Sequence, residues 1–256
     1  MMFRLIAACA VAAGLTLPAG AQQTGGPGPT DMAPAEREQL RTEVRAYLLD
    51  NPEVILEAIN ILENRRKAKS EESDADRIAA NADALYDDGH SWVGGNPDGD
   101  LTIVEFADYR CGFCKRAHPV VKRLLEEDGD LRLVYKEFPI LGPESVMASR
   151  MAMAALELDP DGYRALNDAL MGHRGELTEV AAYRMAKAAG YDLADLKARE
   201  DDEDIGAAIE ANYALADELG LQGTPSFVIG DRIVRGFLSY DDMARTVAEV
   251  REARSR

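Results

Sequence analysis

Two cysteines stand two residues apart in Cys111-Gly112-Phe113-Cys114. Thiols at that spacing can close a disulfide within one helical turn, or exchange one with another molecule through a mixed disulfide. The preceding Leu101 to Ala107 (LTIVEFA) reads as a buried strand, and Cys111 to Glu127 reads as a helix ended by Gly129. Cys111 therefore falls at a helix start. Free N–H groups and the helix dipole there favour an anion and lower a thiol pKa below its free value of ~8.5. Cys114, one turn on, can reach the first sulfur and resolve a mixed disulfide. A bridge over so short a loop constrains the unfolded chain little, which favours a chemical role over a stapling one.

Neighbouring residues add candidates. His118 follows Cys114 by four residues, so Cys111, Cys114 and His118 could face one ion. The chain has no second Cys-x-x-Cys, and zinc sites usually take four ligands, so no metal site is assigned. His118 reads as a polar residue of the same helix, which Pro119 should kink because it lacks an N–H. Glu105 is the only charge in LTIVEFA. A strand covered on both faces would bury it, raise its pKa and let it exchange a proton with Cys114; at a sheet edge it would sit in water. Phe113 offers an apolar surface beside Cys111, facing substrate or packing on a neighbouring loop.

These residues need a frame. Leu131 to Phe138 (LRLVYKEF) reads as a second strand, so strand, helix and strand form a βαβ unit with a parallel pair. Helices follow at about 144–158, 161–171, 178–189 (capped by Thr178) and 203–219. Phe227 to Ile229 and Arg232 to Arg235 bracket a Gly230-Asp231 turn as a hairpin, and Ser239 caps a last helix to about 252. Gly94 to Gly99 reads as a turn cluster. Upstream, Leu40, Val44, Tyr47 and Leu48 recur at helical spacing, Asn51-Pro52 interrupts, and Val54, Ile55, Ile59 and Leu62 resume. The charged run Glu63 to Arg77 reads as a solvated helix or linker. Segment 34–62 is too short to bury its own apolar stripes, so it should pack on the main domain or on copies of itself.

The N-terminus reads as an address. Arg4 precedes an apolar stretch from Leu5 to Leu17, Pro18 ends it, and Ala19-Gly20-Ala21 suits signal peptidase. Cleavage after about Ala21 would remove Cys9 and leave Cys111 and Cys114 as the only cysteines. A lipoprotein signal at Cys9 is rejected, because only eight residues precede it. Residues 22–33, rich in Gly and Pro, form a flexible tether. The formal net charge of −17 argues against nucleic-acid binding.

Phe106-Ala107-Asp108-Tyr109-Arg110 before the cysteine pair, together with Gly223-Thr224-Pro225-Ser226-Phe227, resembles the thioredoxin superfamily, and within it the DsbA-like thiol–disulfide oxidoreductases. Leu48-Leu49-Asp50-Asn51-Pro52-Glu53-Val54 is similar to the N-terminal segment of the ScsC-like branch. The resemblance implies an α/β, thioredoxin-like fold with an inserted helical subdomain at about 142–220, in a domain spanning 87–256. It also implies an N-terminal helical oligomerisation segment with charged linker at 34–86. It makes Cys111 the nucleophile and Cys114 the resolving thiol, with no cofactor beyond that pair, and tilts Glu105 toward the proton-exchanging role. Thr224-Pro225 is expected to be a cis bond facing the pair and, with Phe113, to meet substrate.

Gly112-Phe113 is closer to the Cys-Gly-Tyr-Cys of DsbC-type isomerases than to the Cys-Pro-His-Cys of DsbA. The expectation is thus a periplasmic isomerase or reductase of unfolded or misfolded exported proteins, kept reduced by a DsbD-type membrane partner. A dithiol oxidase recharged by a DsbB-type partner is the alternative. The branch also implies a homo-oligomer, commonly a trimer; docking of 34–62 on its own domain would instead give a monomer. Two other readings stay open: a copper-binding periplasmic protein, and a holdase-like scaffold in which the thiols matter less.

Overall fold

The structure, a computed structural model, describes residues 32–255; the expected signal peptide (1–21) and all but the end of the tether (22–33) lie outside the described residues. In chain order the elements are α1 (Pro34–Asp50), α2 (Glu53–Ala80), α3 (Ala82–Tyr86), β1 (Trp92–Gly95), β2 (Leu101–Ala107), α4 (Gly112–Asp128), β3 (Leu131–Glu137), α5 (Pro143–Leu158), α6 (Pro160–Gly172), α7 (Glu179–Ala188), α8 (Leu193–Glu200), α9 (Glu203–Glu218), β4 (Ser226–Ile229), β5 (Arg232–Arg235) and α10 (Tyr240–Arg254). Among the described residues no helix is long and apolar enough to cross a membrane. The chain divides into two units after Leu62.

The first unit holds α1 and the start of α2. Asn51 closes α1: its backbone N–H and its side-chain amide both donate to the Tyr47 carbonyl, each at 2.9 Å. Pro52, directly before α2, has no N–H to satisfy at the helix start. No residue of α1 is buried. Leu49 is 66% exposed and Leu56 63%, so the apolar stripes of this unit are open within it.

In the second unit the parallel pair read from the sequence forms the centre of a five-stranded sheet ordered β1-β3-β2-β4-β5. β2 and β3 run parallel from Leu101↔Leu131 to Ala107↔Glu137. β4 pairs antiparallel with β2, and β1 with β3. Because both central strands are covered on two faces, they read as near-continuous apolar runs. One face presents Leu101, Ile103, Leu133 and Phe227 to α4 and α10. The other presents Val104, Phe106, Val134 and Val228 to the ends of α2 and α9 and to α3. The inserted helices form a third core, around Met151, Tyr163, Leu166 and Leu170, which reaches the end of β2 at Ala107 and the first turn of α4 at Cys114. Thr178 and Ser239 cap α7 and α10 as their sequence positions indicate.

Three readings are revised. Gly94 and Gly95 belong to a strand rather than to the turn cluster, since Trp92 to Gly95 pair with Tyr135 to Arg132. Glycines carry little strand preference, and a tertiary partner decides here. Gly95 has φ 71°, and a Cβ there would stand 2.3 Å from the Leu131 carbonyl oxygen, so that close approach requires glycine. The charged run is a continuous helix whose end is docked: Ile78 is buried, and Asp74 takes two 2.9 Å hydrogen bonds from Arg235. Finally, the stretch between the expected helices at 178–189 and 203–219 holds a further helix, α8. Its cap is a side chain, Asp192, accepting from Ala194 and Asp195 N–H at 2.8 and 3.2 Å.

Candidate active site

Strand β2 ends at Ala107, and four residues later the chain turns into α4 with Cys111 as its N-cap. The turn is built by Asp108. This fully buried carboxylate accepts from the Arg110 N–H (2.7 Å), the Ser145 hydroxyl (2.8 Å) and the N–H groups of Ile140 (2.8 Å) and Leu141 (3.0 Å). Four donors from three segments leave it little freedom. Asp108 thereby fixes where the helix starts and hence where the first sulfur sits. In the sequence Asp108 stands only as one residue of the stretch before the cysteine pair; an Asp two residues before a turn N–H is the signal that marks it.

Both cysteines are free thiols, and their environments differ. Cys111 Sγ accepts from the Cys114 N–H at 3.4 Å, and its thiol faces the Thr224 carbonyl at 3.2 Å. Its pKa falls to about 5, chiefly because the Cys114 thiol donates to it; burial opposes this, and Thr224 and the N–H groups of the first helical turn assist. Cys114 is fully buried, and burial first, then its bond to the Cys111 sulfur, pushes its pKa far up. One sulfur is thus a thiolate at neutral pH while the other keeps its proton. Thr224-Pro225 is cis and opens β4 beside the pair.

Glu105 lies in mid-strand, 2% exposed, and burial raises its pKa to about 8. The edge-in-water alternative is thereby excluded. Its register partner is Tyr135, whose buried hydroxyl has no hydrogen-bond partner among the described residues. That hydroxyl lies within electrostatic reach of both Glu105 and Cys114. A cavity of about 290 Å³ opens there, lined in part by Glu105, Tyr135, Trp92, Leu133 and Val121.

A second buried acid, Glu137, went unnoticed in the sequence. It accepts hydroxyl hydrogens from Tyr109 (2.6 Å), Tyr163 (2.9 Å) and Ser149 (2.7 Å), and burial, opposed by these bonds, raises its pKa to about 7. Like Glu105 it is an acid inside an apolar strand, but LRLVYKEF also carries Arg132 and Lys136, so it does not stand out as a lone charge. His118 Nε2 stands 2.7 Å from Asp168 Oδ1, which engages the nitrogen a metal would need. Among the described residues no group of three or more His, Cys, Asp or Glu is placed to hold a metal ion. Phe113 is 54% exposed and packs its ring against the Arg116 guanidinium at 4.3 Å.

Comparison with known proteins agrees with this fold. Residues 87–249 match the family described as Thioredoxin, and residues 36–69 match the Copper resistance protein ScsC N-terminal domain. A thioredoxin-like oxidoreductase from Silicibacter pomeroyi DSS-3 is 41% identical at TM-score 0.64, over 67% of this chain and 98% of that one. Proteus mirabilis ScsC in a transitional conformation is 31% identical at TM-score 0.64, over 87% of this chain and 98% of that one. Among curated relatives, Na(+)/H(+) antiporter NhaA 3 of Salinispora tropica is 28% identical over 157 residues, 60% of this chain. The chain spans only 24% of that antiporter's length.

Proposed function

Because the chain belongs to the thioredoxin family, we propose that it is a thiol–disulfide oxidoreductase in which Cys111 attacks and Cys114 resolves. The observation that carries this reading is the split between the two sulfurs, one a ready thiolate and the other a buried thiol. In the reducing direction the Cys111 thiolate attacks one sulfur of a client disulfide. The client S–S bond breaks, and its leaving thiolate takes a proton. Cys114 then gives up its proton and attacks Cys111, releasing the second client thiolate and closing the Cys111–Cys114 disulfide. The client gains two electrons and the pair loses them. Glu105 is the group suited to exchange the Cys114 proton: with a pKa of about 8 it holds its own proton in most molecules at neutral pH, and its ionised fraction is the base. In isomerisation a client thiol attacks the mixed disulfide instead, and both cysteines return to the reduced form.

The finer reading is an isomerase or reductase of unfolded or misfolded exported proteins in the periplasm, kept reduced by a DsbD-type membrane partner. The signal-like residues 1–21 and the Gly112-Phe113 pair support it. Self-association through the first unit is part of this reading: no residue of α1 is buried, and several sites held together would raise the effective concentration for one client. The test uses a scrambled disulfide protein. The reduced wild type should reactivate it, Cys114→Ser should accumulate a mixed disulfide, and Cys111→Ser should do neither. Oxidation of client dithiols without any reactivation would assign the chain to the oxidase class instead.

A further inference from the structure

The first turns of α4 carry cations that the mechanism does not use. Arg116 projects from the helix with its guanidinium between two exposed rings, 4.3 Å from the centre of Phe113 and 5.0 Å from that of Phe237. Phe113 belongs to the cysteine motif. Phe237 follows Gly236, whose N–H donates to the Pro225 carbonyl at 2.9 Å. The Phe113–Arg116–Phe237 stack therefore runs from the helix start to the loop that faces Cys111. On the other flank, Lys115 Nζ donates to the His173 carbonyl at 2.7 Å, which brings Arg174 close enough to oppose the Lys115 charge. Arg174 is exposed.

Among the described residues, none of Lys115, Arg116 and Arg174 has a carboxylate partner. Acids around the helix start are committed elsewhere. Asp108 is held in place by four neutral donors and acts on Lys115 only through space, Glu144 pairs with Arg110 at 2.9 Å, and Asp168 holds His118 and Lys122, each at 2.7 Å. Glu176, two residues after Arg174, makes no ion pair with it. In a chain with a formal charge of −17, three cations beside the helix start thus have no carboxylate among the described residues within ion-pair distance, and the Asp108 charge reaches Lys115 only through space.

We propose that Lys115, Arg116 and Arg174 form a specificity rim that favours client segments carrying Asp or Glu beside the disulfide-bonded cysteine. This rests on the oxidoreductase reading above and names a substrate class for it. A client cysteine joined to Cys111 must bring its flanking residues over this rim. Carboxylates there meet Arg116, whose planar fork can take one bidentately while its face stays on the rings. Exposed charges more than about 10 Å apart are largely screened at 0.1 M salt, so the cations nearest a client's flanking residues act on it more strongly than the remote part of the acidic surface. The molecule's net charge by itself would favour basic peptides. The two explanations therefore predict opposite signs.

The test is the second-order rate at which the reduced full chain cleaves matched peptide disulfides flanked by Glu, Gln or Lys, in about 0.1 M salt. The expected order is Glu above Gln above Lys, with about tenfold or more between the extremes, as local electrostatic steering can give. The ratio should fall toward one in ~1 M salt, where the screening length is about 3 Å. Arg116→Gln and Arg174→Gln should each shrink the Glu-to-Lys ratio, and Arg116→Lys should restore part of it. Equal rates for the three peptides, or a Lys preference, overturn the rim while leaving the oxidoreductase reading intact. Cleavage of none of them would instead overturn that reading. The peptide series on the wild type decides the matter even if a variant fails to fold.

Discussion

Replacing Glu105 by Gln should stabilise the protein, and by an amount set by pH. The wild-type carboxyl has a pKa of about 8 in the fold against an ordinary value of 4.5. A raised carboxyl pKa means the folded state holds a proton that the unfolded chain has released. The stabilising contribution of the protonated form is fully present below pH 4.5 and is lost as pH rises through 8. Each pKa unit is worth about 1.4 kcal/mol, so keeping Glu105 protonated in the fold costs about 3 kcal/mol at pH 7, and ionising it there costs about 5 kcal/mol above pH 8. Gln carries no such charge, and among the described residues no hydrogen bond reaches the Glu105 carboxyl that the amide would forfeit. Glu105→Gln should thus gain about 3 kcal/mol at pH 7 and almost nothing at pH 4.5. Glu137 titrates in the same window but is common to both proteins, so it cancels in the difference. Urea unfolding under reducing conditions, followed through Trp92, the only tryptophan, would measure this. Parallel stability profiles from pH 4.5 to 8, or a less stable variant at pH 7, would refute the burial argument.

A pH titration of thiolate absorbance should give a midpoint near 5 for Cys111, and iodoacetamide should label Cys111 well before the fully buried Cys114. A midpoint at or above the free thiol value would remove the helix-start account. Asp108→Ala strips four hydrogen bonds from a buried site and should cost at least about 3 kcal/mol in urea unfolding, with slower attack by the misplaced Cys111; unchanged stability would show the turn forms without it. Leu49→Lys combined with Leu56→Lys should leave the stability of the second unit within about 0.5 kcal/mol, because both side chains are exposed. Light scattering should find the wild type oligomeric and the pair of substitutions monomeric. An unchanged mass would place self-association elsewhere or nowhere.

The sequence by itself determined the parts whose signals are local. Cys111-Gly112-Phe113-Cys114 after an apolar strand located the reactive pair and the helix start. The β2–α4–β3 unit, the β4–β5 hairpin and the break at Asn51-Pro52 followed from apolar period and turn residues. Tertiary structure decided what depends on distant segments. β1 exists because β3 offers an edge to a Gly-rich stretch with little strand preference of its own. The end of α2 is docked because Arg235, more than 150 residues away, meets Asp74. Whether Glu105 was wet or dry could not be read from LTIVEFA, because burial depends on what covers both faces of the sheet. Asp108 and Glu137 show the same limit. Their chemistry comes from hydroxyls and N–H groups that only the fold brings together, and the exclusion of water there moves a carboxyl pKa that no spacing in the sequence records.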